Sequence, residues 1–323
     1  YEITPLLGLH MVLGGNTQIT YLPGYCNEDI GNIWANTEES VNGQADSLEQ
    51  DKQDASPEPN VKEKEAAKKA RQAEKNRQYM KEAIEAAKDA DAVIYVGGLT
   101  HDYDTEGQDR ASMKLPYEQD KLISELLKVR PDMIVTMIAG SPVDMSAWID
   151  QASTLVYSWY AGMEGGYALA EVLFGLVNPS GHLPETFPGG DKVHYGEDIF
   201  VGYRYYDTYE VAPAFPFGYG LSYTEFVMAG LSARVTGSNE VEVSFHVSNV
   251  GDRAGAALPQ IYVSDKCPKV KKAVKELKAF EKIFLEPGET RQITLQLHAD
   301  AFSYYDEEKK AFVVDAGTYA ILL

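Results

Sequence analysis

The sequence predicts an α/β fold first, an open and mostly parallel sheet flanked by helices in an α/β/α sandwich, and an antiparallel β-sandwich after it. Three observations predict this. Short apolar runs near 92–98, 133–138 and 155–159 alternate with stretches whose apolar residues recur at helical spacing, which is the pattern of strand–helix units in a parallel sheet. From about Leu231 onward the apolar period changes to two, as in strands with one buried face. Between the halves lies a loop-rich, unusually aromatic stretch at 185–226. The expected division is therefore 1–184, a linker at 185–226, and 227–323. A chain of 323 residues is long enough for two domains, each with its own core.

Taken in order, residues 1–34 carry the short runs Ile19-Thr20-Tyr21 and Pro23-Gly24-Tyr25 among glycines. Residues 36–64 are polar and charged around Ser56-Pro57-Glu58-Pro59. Such text buries too little apolar surface to offset chain entropy, so a loop or insertion is expected there. From about Lys62 to Ala90 strong helix formers dominate, and Tyr79, Ala83, Ile84 and Ala87 share one stripe. This predicts a long helix packed on the sheet, with its charge run as a solvated face rather than a partner site. Ala92 to Gly98 reads as a strand buried on both faces. Leu122, Ile123, Leu126 and Leu127 make a helical stripe, Met133–Ile138 and Leu155–Trp159 two further buried strands, and Gly166–Phe174 another helix.

Aromatic side chains recur from Tyr195 to Phe226. They could stack on a sugar ring, but packing between domains, with each hydroxyl finding a partner, is the stronger expectation. Beyond them Val241, Val243, Phe245 and Val247 point one way and Glu242, Ser244 and His246 the other. Ile293, Leu295 and Leu297 repeat the scheme, with turn text at Asn249-Val250-Gly251-Asp252 and Glu286-Pro287-Gly288-Glu289 between the runs.

The formal net charge of −20 argues against nucleic acid or an anionic membrane as partner, since both need a basic surface. Neutral sugars meet no such repulsion. The two cysteines, Cys26 and Cys267, fall in different expected domains, so no disulfide framework is predicted. The six histidines show no metal-ligand spacing, and neither Cys-x-x-Cys nor His-Glu-x-x-His occurs, so neither metal nor cofactor is expected. No Gly-x-Gly-x-x-Gly opens a helix and no Gly-x-Ser-x-Gly elbow exists, which sets aside dinucleotide binding and a serine hydrolase. No apolar run approaches the roughly 20 residues of a membrane span, and Tyr1-Glu2-Ile3 does not read as a signal peptide. The text reads as starting inside a domain, and no compartment is assigned.

The chemistry concentrates after the 92–98 run, where the chain spills into a loop holding Asp102, Asp104, Glu106 and Asp109. Ligands of open parallel sheets bind outside the carboxyl ends of the strands. A solvated acidic loop is the plainer alternative; the text that follows sets it aside. Glu106-Gly107-x-Asp109-Arg110 followed by Leu115-Pro116-x-x-Gln119 resembles the second domain of glycoside hydrolase family 3, of the β-glucosidase type. The likeness continues in order through Ala139-Gly140-Ser141-Pro142-Val143-Asp144, Trp159-Tyr160-Ala161-Gly162-Met163-Glu164-Gly165-Gly166, Asn178-Pro179-Ser180-Gly181-His182-Leu183-Pro184 and Phe217-Gly218-Tyr219-Gly220-Leu221-Ser222-Tyr223. Roughly residues 79–323 take part. Thr4-Pro5-Leu6-Leu7-Gly8 also resembles the family segment that leads from a first helix into a strand. The closing sandwich resembles the family's fibronectin type III-like domain, most clearly at Lys275-Glu276-Leu277-Lys278-Ala279-Phe280-Glu281-Lys282.

The resemblance implies a retaining β-glycosidase, which needs two carboxyl groups roughly 5 Å apart across the anomeric carbon. It places the general acid/base on Glu106, with Asp104 as runner-up because some members carry the acid two positions earlier. Asp109 and Arg110 are expected to pair with each other or brace the loop rather than touch substrate, since a bidentate guanidinium suits fixing a loop. A proton donor needs its pKa raised by burial or a neighbouring negative charge, which this crowded loop could supply once covered. The family's nucleophile is an Asp on a barrel domain, in a Ser-Asp-Trp-like string; the nearest string here, Met145-Ser146-Ala147-Trp148, lacks the Asp. The implied partners are a barrel-domain chain or segment carrying that nucleophile and a β-glucoside or short β-glucan, with no nucleic acid and no membrane. Substrate-binding residues stay unassigned. The alternative is a non-catalytic carbohydrate-binding or interaction module on the same two domains.

Overall fold

Three strands form the sheet that carries the acidic loop: β1 (Ile94–Gly98), β2 (Ile134–Ile138) and β3 (Thr154–Tyr157). They are parallel in the order β1-β2-β3, with Ile134 of the central strand beside Ile94 on one side and Thr154 on the other, and Gly98 beside Ile138. The computed structural model describes residues 2–26, 59–107, 109–189, 196 and 198–323. Of the insertion expected over 36–64, residues 36–58 lie outside the described residues, as does Tyr195. The chain divides into two units, 1–166 and 167–323.

In the first unit, α1 (Pro5–Leu13) starts where Pro5 tolerates the missing donor and the Thr4 hydroxyl accepts from the Leu7 amide at 3.3 Å. The strand that the family resemblance of residues 1–34 implies after the first helix does not form, and the runs at 19–25 join no ladder. A cavity of about 190 Å³ lies where Thr20, Leu22 and Tyr25 face Val93, Tyr95 and Leu122, and strands pair only when their backbones stand about 4.8 Å apart. Helix α2 (Pro59–Asp89) begins inside the range expected to be loop, because Pro suits a first helical turn and good helix formers follow it. Its inward stripe is Asn76, Met80, Ala83, Ile84 and Ala87, with Tyr79 at the margin.

Parallel neighbours need a crossover, and α3 (Gln119–Val129) supplies the one between β1 and β2. It buries Leu122, Ile123, Leu126 and Leu127, the stripe read from the sequence. β2, the central strand, is buried through Val135, Thr136 and Met137, whereas β3, one of the two edge strands, is only half-buried. Between them Trp148 is 1% exposed and its indole N–H donates to the Asp120 carboxylate at 2.9 Å. Helix α4 (Gly165–Leu173) closes this α/β text.

In the second unit, β4 (Phe226–Gly237), β5 (Glu240–Asn249) and β10 (Thr290–Leu297) form an antiparallel sheet in the order β10-β5-β4. Val243 faces Leu295 and Phe245 faces Ile293 across the β5–β10 ladder, so the period-two text becomes one buried face. A second sheet joins β13 (Tyr319–Leu322), β7 (Gln260–Asp265) and β8 (Glu276–Phe280). Short pairs β6 (Gly255–Ala257) with β9 (Ile283–Leu285) and β11 (Tyr304–Asp306) with β12 (Ala311–Val313) complete it. Val243, Phe245, Ile261, Leu285 and Leu297 form the centre of its core. These antiparallel sheets make the expected sandwich.

The aromatic stretch packs onto this second core. On helix α5 (Tyr203–Thr208), the Tyr203 ring stacks on Phe217 with centroids 4.8 Å apart and meets Tyr262 edge-on, while its hydroxyl accepts from the Leu277 amide at 2.8 Å. Asn178 ties the preceding loop down: its side-chain oxygen accepts from Ser222 Oγ and the Tyr223 amide, and its amide nitrogen donates to Ala254 O.

Candidate active-site loop

The loop begins where β1 must end. At Gly98, φ is +142° and an added Cβ would lie 1.9 Å from the Ile138 carbonyl oxygen, so only glycine fits. The buried Gln119 amide closes the strand end: its Oε1 accepts from the Gly98 N–H at 2.9 Å and from Tyr95 Oη at 2.8 Å, and its Nε2 donates to Gly98 O at 2.8 Å. Buried polar groups require such partners. The chain then turns, with the Tyr103 and Asp104 amides both donating to Thr100 O.

Beyond the turn the loop is pinned at two places to the segment after β2. Asp104 Oδ2 accepts from the Gly140 N–H at 3.0 Å and from Tyr160 Oη at 2.8 Å. Arg110 Nη2 donates to Ser141 Oγ at 3.0 Å and to Pro142 O at 2.8 Å, while its Nη1 is buried without a partner. The same segment receives the Tyr157 hydroxyl at Ser141 O, and the Asp144 amide donates to Met113 O. Partial burial and the hydrogen bond to the Asp104 carboxylate push the Tyr160 phenol up to about 12, so it stays a donor throughout the physiological range.

Between the two anchors stands Glu106. It is exposed, and among the described residues it has no hydrogen-bond or ion-pair partner. Asp109 is exposed as well, and no ion pair joins it to Arg110 among the described residues. Of the four residues singled out in the sequence, Asp104 and Arg110 hold the loop and Glu106 projects from it. The sequence reading assigned no role to Gly140, Ser141, Tyr160 or Gln119. For Gly140, Ser141 and Tyr160 the signal was positional, because each falls in a quoted block just past a strand's carboxyl end, whereas Gln119 opens α3.

The Met145-Ser146-Ala147-Trp148 string is structural here, with Met145 and Trp148 both buried. Among the described residues no group of His, Cys, Asp and Glu is placed to hold a metal, and no helix is long and apolar enough to cross a membrane. Cys26 and Cys267 are free.

Residues 6–223 match the glycosyl hydrolase family 3 C-terminal domain, and residues 257–323 match the fibronectin type III-like domain. A thermostable β-glucosidase B from Acetivibrio thermocellus is 42% identical over 259 residues, covering 75% of this chain and 34% of that protein. The crystal structure of a Kluyveromyces marxianus β-glucosidase in complex with glucose superposes with a TM-score of 0.72 at 39% identity, over 76% of this chain and 31% of that one. For β-glucosidase 3B of Thermotoga neapolitana in complex with α-D-glucose, the TM-score is 0.70 at 27% identity, over 99% of this chain and 44% of that one. The chain thus spans about a third of the length of the curated relatives it matches. It is homologous to the C-terminal part of β-glucosidases, and it belongs to glycoside hydrolase family 3.

Proposed function

We propose that this chain is the acid/base-contributing half of a retaining β-glucosidase, releasing terminal non-reducing β-D-glucosyl residues together with a barrel domain that carries the attacking Asp. One observation carries the reading: the loop leaving β1 is fixed on both sides of Glu106, at Asp104 and Arg110, while the Glu106 carboxyl itself is exposed and unengaged among the described residues. Such an arrangement aims a side chain outward from a rigid base. The glucose held by the K. marxianus and T. neapolitana relatives supports the sugar class. The working parts are the α/β/α region at 1–184, the aromatic stretch at 185–226 and the sandwich at 227–323.

In this mechanism the barrel Asp attacks the anomeric carbon while Glu106 gives its proton to the departing glycosidic oxygen. The glycosyl ester so formed is attacked by water, whose proton Glu106 takes, and the sugar leaves with its configuration retained. Covering the loop with the barrel would strip water from Glu106 and favour its protonated form. Asp104 is the weaker candidate for this task, since its Oδ2 is already engaged by two donors. Arg110 braces the loop, and Asp109 shares the exposed run beside it.

The test uses the chain assembled with its barrel-bearing polypeptide. Glu106→Gln is expected to slow hydrolysis of an alkyl glucoside by about 10²- to 10⁴-fold. An activated aryl glucoside needs little proton donation, so its turnover should fall far less. Equal loss on both substrates would remove Glu106 from the role. If the isolated chain binds glucose in a calorimetric titration and Glu106→Gln changes neither binding nor turnover, the non-catalytic binding module is the correct reading.

A further inference from the structure

Three loops from three different strands meet at one carboxylate oxygen. Asp104 follows β1, Gly140 follows β2 and Tyr160 follows β3, and the last two both donate to Asp104 Oδ2. The space at Gly140 is already taken. A Cβ there would stand 2.7 Å from Tyr160 Cε2 and 2.8 Å from Asp104 Oδ2, so the tyrosine ring and the carboxylate occupy the place of a side chain. The backbone that brings Tyr160 to this point is strained: Trp159 has φ +53°, a left-handed conformation that a bulky residue adopts only when its surroundings impose it.

Stability alone gives this latch little reason to exist. Tyr160 is 51% exposed, and a hydrogen bond open to water contributes little to folding. What the latch does fix is position. Asp104 lies two residues before Glu106, and misplacing a reacting group by an ångström can cost about a hundredfold in rate. We propose that Tyr160 is a positioning residue for proton transfer, holding Asp104 against the Gly140 amide so that Glu106 is presented in one orientation. The proposal rests on the acid/base reading of Glu106.

Two measurements test it separately from that reading. In this chain alone, Tyr160→Phe should leave Tm unchanged while amide exchange at Gly140 and across 103–107 rises by about threefold or more. Unchanged exchange would show that the latch holds nothing. In the assembled enzyme, Tyr160→Phe should lower kcat on an alkyl glucoside about tenfold and on an activated aryl glucoside by less than about twofold, with KM unchanged. Asp104→Asn, which keeps an oxygen for both donors, should retain more alkyl turnover than Asp104→Ala.

The double variant decides whether Tyr160 acts through Glu106. Placed in the Glu106→Gln background, Tyr160→Phe should add less than about a twofold loss. A further tenfold loss there, or equal loss on both substrates in the single variant, would overturn the positioning role. If Glu106→Gln leaves alkyl turnover intact, the acid/base reading falls, and Tyr160 as its positioning residue falls with it even where the exchange result confirms the latch.

Discussion

The carboxyl ends of β1, β2 and β3 and the interior of the β5–β10 ladder are held by opposite means. At the strand ends, loops are joined through Asp104, Arg110 and Gln119 by hydrogen bonds with defined donors and acceptors. In the ladder, Val243, Phe245 and Val247 are fully buried and offer no polar atom beyond the backbone. Apolar burial is non-directional and supplies most of the free energy of folding. Hydrogen bonds add less net stability but fix geometry within tenths of an ångström. The difference teaches where to look for function: the site is where geometry is held at little gain in stability.

The comparison breaks first, if it breaks, at Phe245. Phe245→Ala should cost the sandwich about 3–5 kcal/mol, read as a lower urea midpoint for the second unit. The contrasting Tyr160→Phe at the strand ends should leave the midpoint where it was. A loss below about 1 kcal/mol at Phe245 would mean that the core collapses around the gap and is not held by close packing.

Legibility in the sequence follows the same line. Val241 to Val247 and Ile293 to Leu297 announced their buried face because a strand repeats every two residues, and the stripe on α3 did so at helical spacing. The strands β1 to β3 were legible as apolar runs, though the half-exposure of β3 was not, since a run does not say how fully a strand is covered. Strand β4 has the apolar text of a covered strand, yet its side chains are exposed along nearly all of its length, because the opposite sheet does not cover it.

Asn76, Gln119 and Trp148 were missed as anchors, for a buried polar group leaves no period behind. Asn76 accepts from the Cys26 amide and donates to Tyr117 O, partners 50 and 41 residues away. At the site, Glu106 and its neighbours were legible through the resemblance of a compact motif. Tyr160 was not, because it reaches Asp104 across 56 residues of chain.

Gln119 offers the next largest effect, and it sharpens the comparison by removing a polar anchor that is buried instead of exposed. Gln119→Leu is close in volume but leaves the Gly98 N–H, the Gly98 carbonyl and the Tyr95 hydroxyl without their partner. Each orphaned buried group costs about 1–3 kcal/mol, so three groups at the lower end of that range give an expected loss of about 3–4 kcal/mol, with loss of amide protection at Gly98. A neutral result would mean that the strand end is held by the β1–β2 ladder alone.

The smallest effect is expected at Asp120, where a polar anchor lies against the apolar face of α3. Burial raises its pKa, and the nearby Asp144 adds to this, against the opposing hydrogen bonds from Trp148 and the Leu115 amide. The folded protein therefore keeps a proton that the unfolded chain has already released. The sign follows: the stability contributed by neutral Asp120 is present below the unfolded carboxylate value and is lost as pH rises through the folded one. Asp120→Asn holds the group neutral at every pH and still offers an oxygen to the Trp148 indole. Its Tm should exceed that of the parent at pH 7 and equal it below the carboxylate range. A lower Tm at pH 7 would show the reverse: that the charge-assisted bond to Trp148 and the N-terminal end of α3, which favours an anion, outweigh the cost of burying the charge.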